Sequence, residues 1–198
     1  MACDLVDYKG FIGYLIDEVF YFLSNGYLTA EYHDKSQERI LEVGQNLHLL
    51  IFRGQVHVVH SDKRQLIINP LRGIHNANLP RIIIGHDENI NRIIANDQFI
   101  YCDFYTYTLI YSYTSGIIDV FKKIPYDKNN PYRITQLLAC NNCHVVTSSA
   151  GTIALWDIYL TCVKLYKIER RIICARFQNG GLLVNQVHQI NFSDLVEI

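Results

Sequence analysis

The sequence predicts an all-β chain assembled from repeated antiparallel meanders, and three observations carry that prediction. Apolar residues recur in short β-branched and aromatic runs of strand length. Polar and glycine-bearing turn dipeptides separate those runs. The pattern of turn, apolar run and alternating run returns at an average interval of about 40 residues. Four or five such meanders, each a small antiparallel sheet, make a small or incomplete β-propeller.

The clearest copy runs from Arg133 to Ile168. Arg133 to Ala139 has the apolar bias of a short strand. Cys140-Asn141-Asn142-Cys143 is turn chemistry, because Asn tolerates left-handed backbone angles and hydrogen-bonds its own backbone. His144 to Thr147 is β-branched and apolar, and Ala150-Gly151 is a tight hairpin turn. Thr152 to Trp156 alternates, placing Ile153 and Leu155 on one face and Thr152, Ala154 and Trp156 on the other. Asp157 ends that strand, and Thr161 to Ile168 supplies a fourth.

The run SSAGTIALWD resembles the third strand of a WD40 repeat, with Trp156-Asp157 as its Trp-Asp pair. Gly85-His86, followed by Ile90 to Ala95, resembles the Gly-His opening of another. The motifs cover one repeat well and a second in part; the other copies are degenerate. In the family, the His bonds an Asp in the tight turn of the same blade. Here Ala150 stands at that Asp position in the better repeat, and Asp103 is the only substitute near the turn at Tyr105-Thr106-Tyr107. The resemblance therefore implies structural roles for Trp156 and Asp157, then for Gly85 and His86.

The turn dipeptide is read at Asp17-Glu18, Gln45-Asn46, Asn96-Asp97, Asn141-Asn142 and Asn179-Gly180. The runs that follow are VFYFLS, LHLLIF, QFIYCD, CHVVTS and GLLVNQ. The intervals are uneven. The widest contains Asn69 to Pro80, the longest loop candidate and the first choice for a contact loop, since loops on a rigid scaffold carry binding residues. Five repeats fit best, with four as the alternative.

Residues 1–10 read as an N-terminal segment that stays loose or lends the last blade its missing outer strand; residues 11–198 read as the WD40-like domain. Phe11 to Leu28 has two readings. Asn25-Gly26 before an alternating run is a strong hairpin signal. A helical reading would make LIDEVFYFLSNGYL resemble the start of an F-box.

Composition narrows the function. Apolar residues are 49% and charged residues 19%, which excludes a disordered chain. The net charge of −1 without a basic run argues against nonspecific nucleic-acid binding. The N-terminus MACDLVDYKG has no signal-peptide core, and no apolar run approaches the ~18 residues of a membrane span. The cysteines at 3, 102, 140, 143, 162 and 174 read as reduced cytosolic or nuclear thiols.

Cys140, Cys143 and His144 form the one metal-like cluster, which Cys162 or Cys174 would have to complete for zinc; a turn flanked by buried thiols is the preferred reading. His57 and His60 lie three apart in a strand, face opposite sides and read as strand-surface histidines. Asp17-Glu18 and Asp87-Glu88 read as solvated turns. No GxSxG, P-loop, GxGxxG or HExxH occurs. No catalytic, cofactor-binding or metal residue is assigned, and no cofactor.

The family resemblance implies a non-enzymatic protein-binding scaffold or adaptor subunit of an intracellular assembly, in cytoplasm or nucleus. The alternatives are an F-box-type substrate receptor and an enzyme with a site at the propeller mouth. Protein partners are expected, with no membrane insertion. Self-association through an edge strand is expected if the N-terminus does not complete the last blade.

Overall fold

The computed structural model describes residues 4–8, 11–16, 18–43, 45–52, 55–71, 81–114, 117–125, 136–149, 152–168, 172, 175–178, 180–185, 188–194 and 196–197. They form five sheets in which every pair of neighbouring strands is antiparallel. The one helical element among them is a single 3-10 turn, Phe192–Asp194. The chain divides into two compact units, 1–90 and 91–198.

The first unit holds two sheets. One runs β1 (Asp4–Tyr8), β2 (Phe11–Ile16), β3 (Val19–Ser24), β4 (Tyr27–Glu31) and β5 (Gln37–Glu42) in sequence order. The other runs β6 (Gln45–Phe52), β7 (Gln55–Asp62), β8 (Gln65–Pro70) and β9 (Ile82–Gly85). Asn25 and Gly26 take φ of 51° and 79° between the paired Ser24 and Tyr27, the geometry of a two-residue hairpin that matches strand twist. The helical, F-box-like reading of Phe11 to Leu28 is thereby overturned: that turn and the β-branched and aromatic runs beside it pair as strands. Ile16, Tyr21, Leu28 and Ala30 of the first sheet bury against Leu49, Val56 and Val58 of the second.

Two expectations need correction. Asp4–Tyr8 does not extend the last sheet; it pairs with β2, from Tyr8↔Phe11 to Asp4↔Leu15. A hairpin with two intervening residues closes at far smaller entropic cost than a contact across the chain. Gln45-Asn46 is not a turn but the start of β6. The first hairpin of that sheet instead closes at Phe52↔Gln55. With this phase, the strands that end at Ile16, Phe52, Ala95, Cys140 and Gln178 take equivalent places in the repeat, each about 40 positions from the next. Of the Asn69–Pro80 loop candidate, Asn69 and Pro70 end β8; residues 72–80 lie outside the described residues.

The second unit holds three sheets. The third comprises β10 (Arg92–Ala95), β11 (Phe99–Asp103), β12 (Tyr107–Thr114) and β13 (Ile117–Pro125). The fourth comprises β14 (Gln136–Cys140), β15 (His144–Ser149), β16 (Thr152–Asp157) and β17 (Cys162–Lys167). The fifth comprises β18 (Ala175–Gln178), β19 (Gly181–Val184) and β20 (His188–Asn191), three strands among the described residues. The last strand, β21 (Val196–Glu197), returns to the fourth sheet, with Lys164↔Glu197 and Leu165↔Val196.

Alternation along β16 is the key to this unit. Ala154 and Trp156 enter a core with Ile94, Phe99, Tyr101 and Ile110 of the third sheet. Ile153 and Leu155 enter another with Ala175, Leu182, Val184 and Ile190 of the fifth. The fourth sheet is thus covered on both faces, and the two faces are those the alternation of Thr152 to Trp156 assigns.

Gly13 and Gly85 test how tightly the first unit is packed. A Cβ on Gly13 would collide with the backbone oxygen of Tyr21 and the ring of Phe20, whereas a Cβ on Gly85 meets open space. Gly13→Ala is expected to lower the unfolding free energy by about 1–3 kcal/mol. Gly85→Ala is expected to change it by less than about 0.5 kcal/mol, as at an uncrowded surface site. Urea unfolding of the two variants checks the contrast.

Candidate functional site

Trp156 and Asp157 take structural positions. The Trp156 indole N–H donates to Thr147 Oγ1 at 2.7 Å inside the core. Asp157 Oδ1 accepts from the backbone N–H groups of Tyr159 at 2.9 Å and Thr161 at 2.8 Å, so the carboxylate organises the β16–β17 turn. Gly85 ends β9 and His86 follows it, its backbone N–H donating to Arg64 O at 2.8 Å. The pair therefore stands between the last strand of one sheet and the first strand of the next. Ala150 lies outside the described residues. Asp103 is buried at the end of β11 and accepts from Thr108 Oγ1 at 3.5 Å.

Cys140 and Cys143 diverge. Cys140 packs against the core of the third and fourth sheets, where burial raises its thiol pKa; Cys143 is exposed. Between them Asn141 Oδ1 accepts from Cys143 N at 2.8 Å and His144 N at 2.7 Å, the side-chain turn expected of Asn. Among the described residues no three His, Cys, Asp or Glu side chains converge in a metal-binding group. The side chains of Cys162 and Cys174 lie outside the described set.

The strand-surface reading of His57 and His60 is corrected. They are 2% and 4% exposed, because β7 is an interior strand buried from Val56 to Ser61. His60 Nε2 lies 3.1 Å from Asn69 Nδ2. A neutral ring accepting from that amide satisfies both groups. Glu18 occupies a turn at φ 67°, and Asp87 is exposed.

The arrangement that sequence reasoning missed lies on the third and fourth sheets. Phe99 of β11, Phe121 of β13 and Tyr159 of the β16–β17 turn form a three-ring cluster. Centroid separations are 5.2 Å for Phe99–Phe121, 5.8 Å for Phe99–Tyr159 and 5.6 Å for Phe121–Tyr159. Phe99 is 7% exposed, while Phe121 and Tyr159 are 48% and 46% exposed. Lys122 Nζ donates to Tyr159 O at 2.9 Å and ties the turn to the strand.

A β-bulge aims Phe121. Ile110 pairs with Lys122 and Tyr111 with Val120, leaving Phe121 as the extra residue on β13. Strand β13 is the outermost strand of its sheet among the described residues. The signal was present in the sequence only as the break in alternation at Val120-Phe121-Lys122-Lys123.

Two buried groups are held away from their ordinary protonation. Burial pushes the Asp103 carboxyl up to about 7, against the opposing pull of the Thr108 hydroxyl and Arg92. Burial, then Arg81, pulls His60 down to about 4, opposed by Asp62. The raised carboxyl makes the folded state bind more protons than the unfolded state, so stability falls as pH rises from about 4 to about 7. The depressed imidazole makes stability rise from about pH 4 to about 6.5. The two slopes oppose each other. Asp103→Asn is expected to uncover a rise in stability with pH across that window, and His60→Gln a fall. Urea midpoints measured against pH check both signs.

No family model and no curated protein matches the chain. Solved structures do. The WD40 β-propeller domain of Doa1 aligns with a TM-score of 0.51 and 13% identity, covering 86% of this chain and 73% of that one. BBS1N, crystallised in complex with ARL6DN, aligns with a TM-score of 0.59 and 10% identity. That match covers 92% of this chain and 60% of BBS1N, so the chain spans less than two thirds of that protein. At such identities the likeness is one of fold: the chain is a β-propeller whose blades are five small antiparallel sheets.

Proposed function

We propose that the chain is a non-enzymatic protein-interaction scaffold, an adaptor subunit of a cytoplasmic or nuclear assembly, and that it makes contact through the Phe121–Tyr159 surface. The observation that carries this reading is the pair of half-exposed rings packed against the buried Phe99, Phe121 tilted and Tyr159 edge-on to it. Large aromatic side chains fixed by packing beneath them lose little entropy on binding, and such residues anchor protein interfaces. Scaffolding is a common use of the propeller fold, which raises the prior without naming a partner. Among the described residues no helix is long and apolar enough to cross a membrane.

The test compares wild type with the double variant Phe121→Ser, Tyr159→Ser, each confirmed folded by its thermal melt. Both are immobilised and exposed to cytosolic and nuclear extract, with quantitative mass spectrometry of what is retained. A defined set of proteins retained by wild type and reduced about tenfold or more by the variant is the expected result. Equal retention would sink the assignment to this surface.

A further inference from the structure

We propose that a second copy of this chain occupies the Phe121–Tyr159 surface, docked about a two-fold axis. This rests on the interaction reading above and adds the identity of a partner.

The bulge changes which residues of β13 share a face. In a regular strand, positions 119 and 122 point to opposite faces. The extra residue Phe121 shifts the parity. Asp119 pairs with Ser112, which itself pairs with the core residue Phe99; Lys122 pairs with the core residue Ile110. Cross-strand partners share a face, so Asp119 and Lys122 lie on the same face of the sheet. Phe121 joins them there through its contact with Phe99. The surface therefore reads, in order along the strand, one negative charge, an exposed ring, one positive charge, with Tyr159 alongside.

That pattern is self-complementary. A two-fold axis near Phe121 sets Asp119 of one copy against Lys122 of the other, twice, and brings the aromatic pairs together between them. An isologous interface requires this property of a patch, that each element find its complement in the same patch rotated. Both charges are available for it. Among the described residues neither Asp119 nor Lys122 has an ion-pair partner, and Lys122 spends one donor on Tyr159 O. The contact is through side chains, because the bulge that exposes Phe121 also spoils the edge for regular strand addition. Two charge pairs and two ring pairs are few contacts for an interface, and the dimer is weak and reversible.

Sedimentation equilibrium over a wide concentration range tests the proposal on the intact chain. Wild type is expected to self-associate in a concentration-dependent manner. Asp119→Lys alone and Lys122→Asp alone each place like charges opposite and are expected to weaken association about tenfold or more. An equimolar mixture of the two single variants is expected to associate again, since each reversed position then meets its reversed counterpart. That recovery also shows that neither variant has merely misfolded. The double variant Phe121→Ser, Tyr159→Ser is expected to be monomeric. A wild type that remains monomeric throughout overturns the proposal, as does a mixture that fails to recover. If wild type is monomeric while the extract experiment still shows proteins lost from the ring variant, only the second-copy proposal fails. If self-association behaves as described and retention from extract is unchanged, only the adaptor reading fails.

Discussion

The constraint on which the second unit depends is that β16 has no face it can show to water. Ile153 and Leu155 require one apolar neighbour, Ala154 and Trp156 another, and the fifth and third sheets supply them. A sheet with two apolar faces is stable only between two others, which is the general reason that repeat architectures need several copies before any one is secure. Polar contacts then fix the spacing between the third and fourth sheets. Asn96 Nδ2 donates to Asn141 O at 3.0 Å, and Asn142 Nδ2 to Asp97 Oδ2 at 2.7 Å. Tyr101 OH donates to Ile158 O at 2.8 Å, and Arg92 Nη2 to Leu138 O at 3.2 Å. Equivalent turns of successive repeats thus hold each other, and the repeat is visible in the bonds as well as in the chain.

Sequence reading succeeded where one residue's chemistry decides one local geometry. Asn25-Gly26 forms its hairpin because both residues accept positive φ. Asn141 turns the chain with its own side chain, and Asn96 does the same through Gln98 N and Phe99 N. Reading failed where geometry depends on a neighbour. Gln45-Asn46 has the chemistry of a turn and opens a strand, because pairing with β7 overrides the local preference of Asn, which falls at a register shift between Gln45 and Leu47. His57 and His60 bring polar side chains to both faces of their strand, but burial is set by what covers each face of β7, which no single strand encodes.

The aromatic surface was hidden for the same reason. A bulge is a relation between two strands: Phe121 is the extra residue only when β13 is laid against β12. Phe99 and Tyr159 come from other parts of the chain, brought beside it by the packing of the third sheet on the fourth. The WD40-like residues, by contrast, were legible, and Trp156 and Asp157 do hold a core bond and a turn. Motif chemistry in this chain marks its supports, and the exposed surface is assembled from residues with no motif at all.

The return of β21 to β17 gives the fifth sheet an unusual tether. Its three described strands lie within a segment whose two ends, near Lys164 and Glu197, are stitched together by strand pairing on the fourth sheet. A clasp of this kind holds a segment of about thirty residues as a closed loop, so the fifth sheet can loosen and re-form without its ends drifting apart, and the entropy of that search is already limited. Cutting the chain inside the loop would leave the clasp in place, while unfastening the clasp would free the sheet's far end without breaking a single one of its own backbone bonds.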